Sequence, residues 1–192
     1  TDKDFGSGAA MLLPDQSGAH PHELVTAGKE GRIYLIDRDN LGGYNPTADN
    51  VVQELPAAQS YIGNFSTPAY YNNTFYIQQS GAPLMAFSLS NGQFSTTPSS
   101  QATAGFNFPG ASPSISANGT SNGIVWTYQY GSPGVLHADD ASNVGVELYN
   151  SNQAGARDQP GNGVKFAVPT IANGRVYIGT SSGLAVYGLF PT

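Results

Sequence analysis

The chain has 192 residues, a formal net charge of −6 and only 10% charged residues, against roughly 25% in an average domain. Thirteen acidic residues outweigh seven basic ones, so the phosphate-binding stripe that a nucleic-acid partner requires is missing. No apolar run approaches the ~18 residues of a membrane-spanning helix, and the lack of cysteine excludes disulfides and thiolate metal sites.

Hydrophobic residues make up 39% of the chain and aromatics 11%, too many for a disordered chain and enough for one domain burying roughly 70% of its unfolded surface. The 24 glycines and 13 prolines are scattered between short apolar runs, a pattern of many short strands joined by tight turns. The helical period is absent, while Val, Ile, Tyr, Phe and Thr alternate with polar residues. The chain opens on Thr1-Asp2-Lys3-Asp4, with neither an initiating Met nor a signal peptide, and is expected to be a processed product or a piece of something longer.

Taken in chain order, the strands fall into four units. The first is loose: Ala9 to Leu13, a long loop, Glu23 to Ala27, then Arg32 to Asp37. The second reads Thr67-Pro68-Ala69-Tyr70-Tyr71, a turn at Asn72-Asn73, Thr74 to Ile77, then Leu84 to Leu89. The third runs from Ser112-Pro113 through Ile115, a turn between Asn118 and Asn122, Gly123 to Tyr128, then Gly134 to Asp139. The fourth runs from Val168-Pro169 through Ile171, a turn at Asn173-Gly174, Arg175 to Ile178, then Gly183 to Leu189.

The recurring prolines at 68, 113 and 169 are spaced as blades of a β-propeller are, at ~40–50 residues with variable loops. Proline is tolerated at the head of a strand, where no ladder donor is needed, and the Asn pairs supply the positive φ of a two-residue hairpin. A β-sandwich also has closely spaced strands but no reason to repeat one strand–turn–strand–strand phrase. The sequence therefore predicts an all-β fold, a partial β-propeller with about four blades of a seven- or eight-bladed ring. The blade-like units span roughly 5–45, 60–98, 105–150 and 163–192 in one domain. Further blades, from the same or another chain, are the expected partners.

The stretch Ala27-Gly28-Lys29-Glu30-Gly31-Arg32-Ile33-Tyr34-Leu35-Ile36-Asp37-Arg38 resembles a phrase of the quinoprotein-like (pyrroloquinoline-quinone-type) propellers, and Val168 to Thr180 resembles their closing blade. This likeness implies the C-terminal half of such a ring. If it extends to the dehydrogenases, Lys29 sits against the quinone oxygens, Asp4 stands where their general base stands, and Asn64 lies near the cofactor. Lys3 and Phe65 replace the family's tryptophans beside Asp4 and Asn64, and the family's vicinal cysteine pair cannot exist here.

Other motifs read as structure. His20-Pro21-His22 forms a solvated loop, since the proline turns the two rings apart and no third ligand lies near. Asp37-Arg38-Asp39-Asn40 is a turn after a strand rather than a calcium loop, and no metal site is expected. His137-Ala138-Asp139-Asp140 ends a blade strand. Asn64, Asn72 and Asn118 each open an Asn-x-Ser/Thr acceptor pattern. The function expected is a non-catalytic, extracytoplasmic (secreted or periplasmic) propeller serving as scaffold, binding module or subunit, with no cofactor. The alternatives are the C-terminal half of a pyrroloquinoline-quinone-dependent alcohol or sugar dehydrogenase, with Ca²⁺ and the quinone, and a carbohydrate or cell-surface binding module.

Overall fold

The computed structural model of the chain describes residues 2–57 and 63–189. Among these residues the structure is built of strands and two single 3₁₀ turns, Phe5–Ser7 and Gly155–Arg157. Four antiparallel sheets follow one another along the chain. Sheet 1 comprises β1 (Met11–Leu12), β2 (Glu23–Ala27), β3 (Ile33–Asp37) and β4 (Gln53–Leu55). Sheet 2 comprises β5 (Ala69–Tyr71), β6 (Thr74–Gln78), β7 (Pro83–Ser90), β8 (Gln93–Phe94) and β9 (Ser100–Gly105), with β7 pairing β6, β8 and β9. Sheet 3 comprises β10 (Ser114–Asn118), β11 (Ser121–Gln129), β12 (Val135–Asp140) and β13 (Asn143–Asn150). Sheet 4 comprises β14 (Thr170–Ala172), β15 (Arg175–Gly179) and β16 (Leu184–Tyr187).

The turns form as their residue types dictate. Asn72 and Asn73 between β5 and β6, and Asn173 and Gly174 between β14 and β15, all have positive φ, as a two-residue hairpin matched to strand twist requires. Pro68, Pro113 and Pro169 each stand immediately before the first strand of their sheet. Two outer strands lie beyond the spans drawn from the sequence: β4 reaches Leu55 and β9 reaches Gly105. Their stretches, Gln53-Glu54-Leu55 and Ser100 to Gly105, are too polar to carry an alternating signal, because their neighbours bury only one of their faces.

Alternation along each strand divides the apolar residues between two flanks. In sheet 2, Phe75, Ile77, Met85, Phe87 and Phe94 join Val25, Ile33 and Leu35 of sheet 1 in one core. Tyr76, Leu84 and Ala86 emerge on the opposite flank and join Val125 and Val144 of sheet 3 in a second. Tyr128 and Leu136 leave the far side of sheet 3 and join Val176 and Ile178 of sheet 4 in a third. Three cores thus fill the three seams between four sheets, and β10 touches both β5 and β14, so the first strands are neighbours on the inside of the fan. This is radial stacking of blades, not two layers face to face.

Hydrogen bonds run from sheet to sheet at the heads of these first strands. The Ala9 amide donates to Ser66 O (3.4 Å), the Thr67 amide to Ser112 Oγ (2.9 Å), and Ser114 Oγ to Pro169 O (2.6 Å). Tyr76 adds a bond across the second seam, from its hydroxyl to Ala141 O (2.7 Å).

The first seam holds one unusual group. Glu23, fully buried at the start of β2, has no hydrogen-bond partner for either carboxylate oxygen. Burial, opposed by nearby His20 and reinforced by Asp37, pushes its carboxyl up to about 7. A raised acid binds its proton in the fold before it does in the unfolded chain. Its stabilising contribution is therefore complete below about pH 4.5 and is lost as the pH climbs through 7, by at most on the order of 3 kcal/mol. Urea unfolding of wild type is expected to show stability falling between pH 5 and 8. The Glu23→Gln variant, which mimics the protonated acid, should flatten that decline, and an unchanged slope would refute this account.

Candidate functional site

Asp4 and Lys29 meet on the surface beside the first seam. Lys29 lies just past the end of β2, and its amide donates to Asp4 O (3.0 Å). Its ammonium bonds both Asp2 Oδ1 and Asp4 Oδ2, each at 2.7 Å. These bonds raise the lysine's pKa and hold the Asp4 carboxyl below the usual carboxylate range. Lys3 pairs with Glu30, and Arg32 with Glu54, so the surface around the turn is a lattice of neutralised charges.

Asn64 belongs to the same region but faces inward. Its amide donates to Gly28 O (3.0 Å). The side-chain nitrogen donates to Ala27 O and Ser66 O, both at 3.0 Å, and Oδ1 accepts from Ser66 Oγ at 2.9 Å. Ser7 Oγ caps the Asn64 carbonyl at 2.6 Å. The residue is fully buried and works as a staple between sheets 1 and 2. Gly8 makes room for it, since a Cβ there would lie 2.0 Å from Asn64 Nδ2, and Gly63 (φ +130°) lets the chain before Asn64 pass close to Lys29, where a Cβ would lie 2.4 Å from Lys29 O. The structure thus brings Asp4 and Lys29 into contact and sets Asn64 behind them, enclosed by protein.

Asn64→Ala should destabilise the fold by roughly 3 kcal/mol, because three buried hydrogen bonds lose a partner. Lys29→Met should cost less than about 1 kcal/mol, as exposed ion pairs contribute little. Chemical denaturation distinguishes the two, and equal losses would show that Lys29 carries structural weight.

His20 and His22 do not converge. Nδ1 of His20 faces Asp37 Oδ2 at 2.8 Å and Nδ1 of His22 faces Asp39 Oδ2 at 2.6 Å. The two pairs lie side by side and zip the 14–22 loop to the end of β3. No group of three or more His, Cys, Asp or Glu side chains is placed to hold a metal ion among the described residues.

An aromatic surface that the sequence reading did not assemble lies along the inside of the fan. Phe65, Phe108 and Phe166 sit in the loops leading into β5, β10 and β14. Phe65 packs edge-on to Phe108 (ring centroids 4.9 Å) and Phe108 edge-on to Phe166 (6.1 Å). Lys165 Nζ stands 5.0 Å from the Phe108 centroid and 5.6 Å from that of Tyr130, within cation–π range. Phe166 and Tyr130 are well exposed. The signal was present as a Phe four to six residues ahead of each first strand, but only the radial arrangement turns that spacing into a row.

The outer flanks of the two end sheets are also uncovered. On sheet 4, Leu184 is 63% exposed and Val186 50%; on sheet 1, Leu12 is 64% exposed. By register, Val186 is opposite Tyr177 and Leu12 opposite Leu24, so each flank carries an apolar stripe of the kind that fills the seams inside.

No protein-family model matches the sequence, and no curated protein matches it. Solved structures do match. The chain is similar to the computationally designed Ika8 protein, with a TM-score of 0.57 and 14% identity over 95% of this chain and 45% of that one. It is similar to BamB from Moraxella catarrhalis, with a TM-score of 0.55 and 15% identity over 94% of this chain and 49% of that one. The designed Ika4 protein gives a TM-score of 0.50 at 14% identity, over 94% of this chain and 92% of that one. The fold is that of a β-propeller. At these identities the likeness speaks for architecture alone, and the chain spans about half the length of Ika8 and BamB.

Proposed function

We propose that this chain is a non-catalytic propeller scaffold whose end blades are covered by further blades, and which binds protein through the aromatic row on the inside of the fan. The observation that carries the reading is the pair of uncovered apolar flanks, Leu184 with Val186 at one end and Leu12 at the other. In a stacked array every blade buries both flanks except the terminal ones, which need a polar cap or another blade. Both flanks are mixed rather than polar: by register Thr26 and Glu54 share the first with Leu12 and Leu24, and Thr170 and Arg175 share the second with Leu184 and Val186. A match to about half of two larger propellers agrees with a half-ring that is completed by more of the same material. The likeness to the quinoprotein-like propellers in the Lys29 phrase and in the closing blade agrees with it as well. A surface made largely of uncharged polar residues, with only 10% of the chain charged, supports an extracytoplasmic setting, secreted or periplasmic.

The isolated chain, of 20.0 kDa, is expected to associate through these flanks into species of at least twice its mass in native mass spectrometry. The double variant Leu184→Asp, Val186→Asp should remain at the monomer mass with unchanged circular dichroism, since neither side chain supports the monomer's core. A wild-type chain that stays monomeric at high concentration would remove the reading.

One observation favours the dehydrogenase alternative: Asp4 and Lys29 are in contact, with Asn64 adjacent. The residues do not otherwise fit a quinone. Asn64 is enclosed with its hydrogen bonds satisfied, and the Lys29 ammonium is already bridged by two carboxylates. Added pyrroloquinoline quinone and Ca²⁺ are expected to give no dye-linked oxidation of alcohols or sugars. Turnover that disappears in Lys29→Ala would reverse that conclusion.

A further inference from the structure

The second seam, between sheets 2 and 3, is not filled by apolar side chains throughout. A cavity of about 110 Å³ interrupts it, lined among others by Gln78, Thr127, His137, Asp139 and Glu147. Strand register explains the grouping. Thr127 is opposite His137, and Asp139 is opposite Val125 on one side and Glu147 on the other, so these side chains share one face of sheet 3 and meet Gln78 of β6.

Some of these groups are satisfied. His137 Nδ1 lies 2.7 Å from Glu147 Oε1, and Asn150 Nδ2 donates to Glu147 Oε2 at 2.7 Å. His137 Nε2 faces Gln129 Oε1 at 3.3 Å, and the Phe106 ring lies against the imidazole at 5.0 Å. Others are not. Thr127 Oγ1 and Gln78 Oε1 are buried without a hydrogen-bond partner, in residues that are 1% and 0% exposed. The Gln78 nitrogen donates to Ala82 O, which fixes the amide and leaves its oxygen to the cavity. The Asp139 carboxyl, in a residue 4% exposed, has no hydrogen-bond or ion-pair partner among the described residues.

Buried polar groups in native proteins are paired, and each unpaired one costs about 1–3 kcal/mol. The unpaired atoms here are oxygens, and no Lys or Arg lines the cavity. Gln78 Oε1 and an ionised Asp139 can only accept, and no cationic side chain among the described residues reaches them, so the deficit is one of positive charge rather than of space.

We propose that this cavity is a binding site for a small hard divalent cation, Ca²⁺ or Mg²⁺, ligated by Asp139, Gln78 Oε1 and Thr127 Oγ1 with water completing the shell. Carboxylate, amide and hydroxyl oxygens are the ligands such ions prefer. No three His, Cys, Asp or Glu side chains converge to hold a metal ion among the described residues, so the Gln78 amide and Thr127 hydroxyl must supply the oxygens that further carboxylates would otherwise give. The volume admits an ion with two or three waters at ~30 Å³ each. Without a cation, burial and the neighbouring charge of Glu147 push the Asp139 carboxyl up to about 7. The lining from sheet 2 is uncharged.

The test uses the full chain stripped of cations, at pH 8 and constant ionic strength. Equilibrium dialysis with Ca²⁺ or Mg²⁺ is expected to show one ion per chain. The melting temperature should rise with the logarithm of ion concentration above saturation, and NaCl should have no such effect. Asp139→Asn should abolish the rise and Thr127→Val should weaken binding at least tenfold. Absence of stoichiometric binding by wild type, or an equal rise in wild type and Asp139→Asn, overturns the proposal. Should Asp139→Asn fail to fold, the dialysis stoichiometry on wild type and its loss of affinity in Thr127→Val decide.

Discussion

Everything in this molecule follows from the requirement that a sheet with apolar residues on both flanks be covered twice. A sheet in a sandwich presents one apolar face and one wet one. Sheets 2 and 3 have none to spare: Phe75 and Ile77 leave one side of β6 while Tyr76 leaves the other, and all three are essentially inaccessible. The only arrangement that covers both flanks of successive sheets without crossing the chain is a fan. Its short inner strands are linked head to head by single hydrogen bonds from Ala9, Thr67 and Ser114. Each seam is its own core, and truncating a ring such as Phe75 to alanine would cost about 3–5 kcal/mol within one seam.

The seams are not equivalent in chemistry. The third joins Tyr128 and Leu136 to Val176 and Ile178 and buries no ionised group among the described residues, though the Tyr128 hydroxyl lies in it without a partner. The first admits one orphan acid, Glu23, at its end, and the second admits an acid, an amide and a hydroxyl around a cavity. Buried ionisable groups without partners lower the stability of a fold at neutral pH. Their presence in the seams, where apolar residues would serve packing better, marks positions at which the interior responds to the solution outside.

Much of this architecture was legible in the sequence. The prolines ahead of β5, β10 and β14 and the Asn-Asn and Asn-Gly turns carry local chemistry that acts within a few residues, so they announced both strand ends and blade period. The outer strands β4 and β9 were invisible because one-sided burial leaves polar residues such as Gln53 and Gln101 in place. At the candidate site, the proximity of Lys29 and Asp4 was anticipated only through family likeness, and the enclosure of Asn64 depends on the missing side chain of Gly8, distant in sequence. The aromatic row and the seam cavity escaped because both need side chains from separate sheets. No spacing along the chain encodes that Gln78 faces Asp139.

The head-to-head bonding of the inner strands has a mechanical corollary. Since each sheet leans only on its immediate neighbours, the assembly is a linear series of dovetailed leaves rather than a single keystone structure. The outermost leaf, sheet 4, rests on one seam and a handful of hydrogen bonds to the chain before it, among them Ser114 Oγ to Pro169 O, the Tyr187 hydroxyl to Asp158 O and the Ser181 amide to Asn162 O. Detaching it would bare Tyr128 and Leu136 and leave the remaining leaves engaged, so the array can be lengthened or shortened at its rim by whole leaves without redesigning its middle.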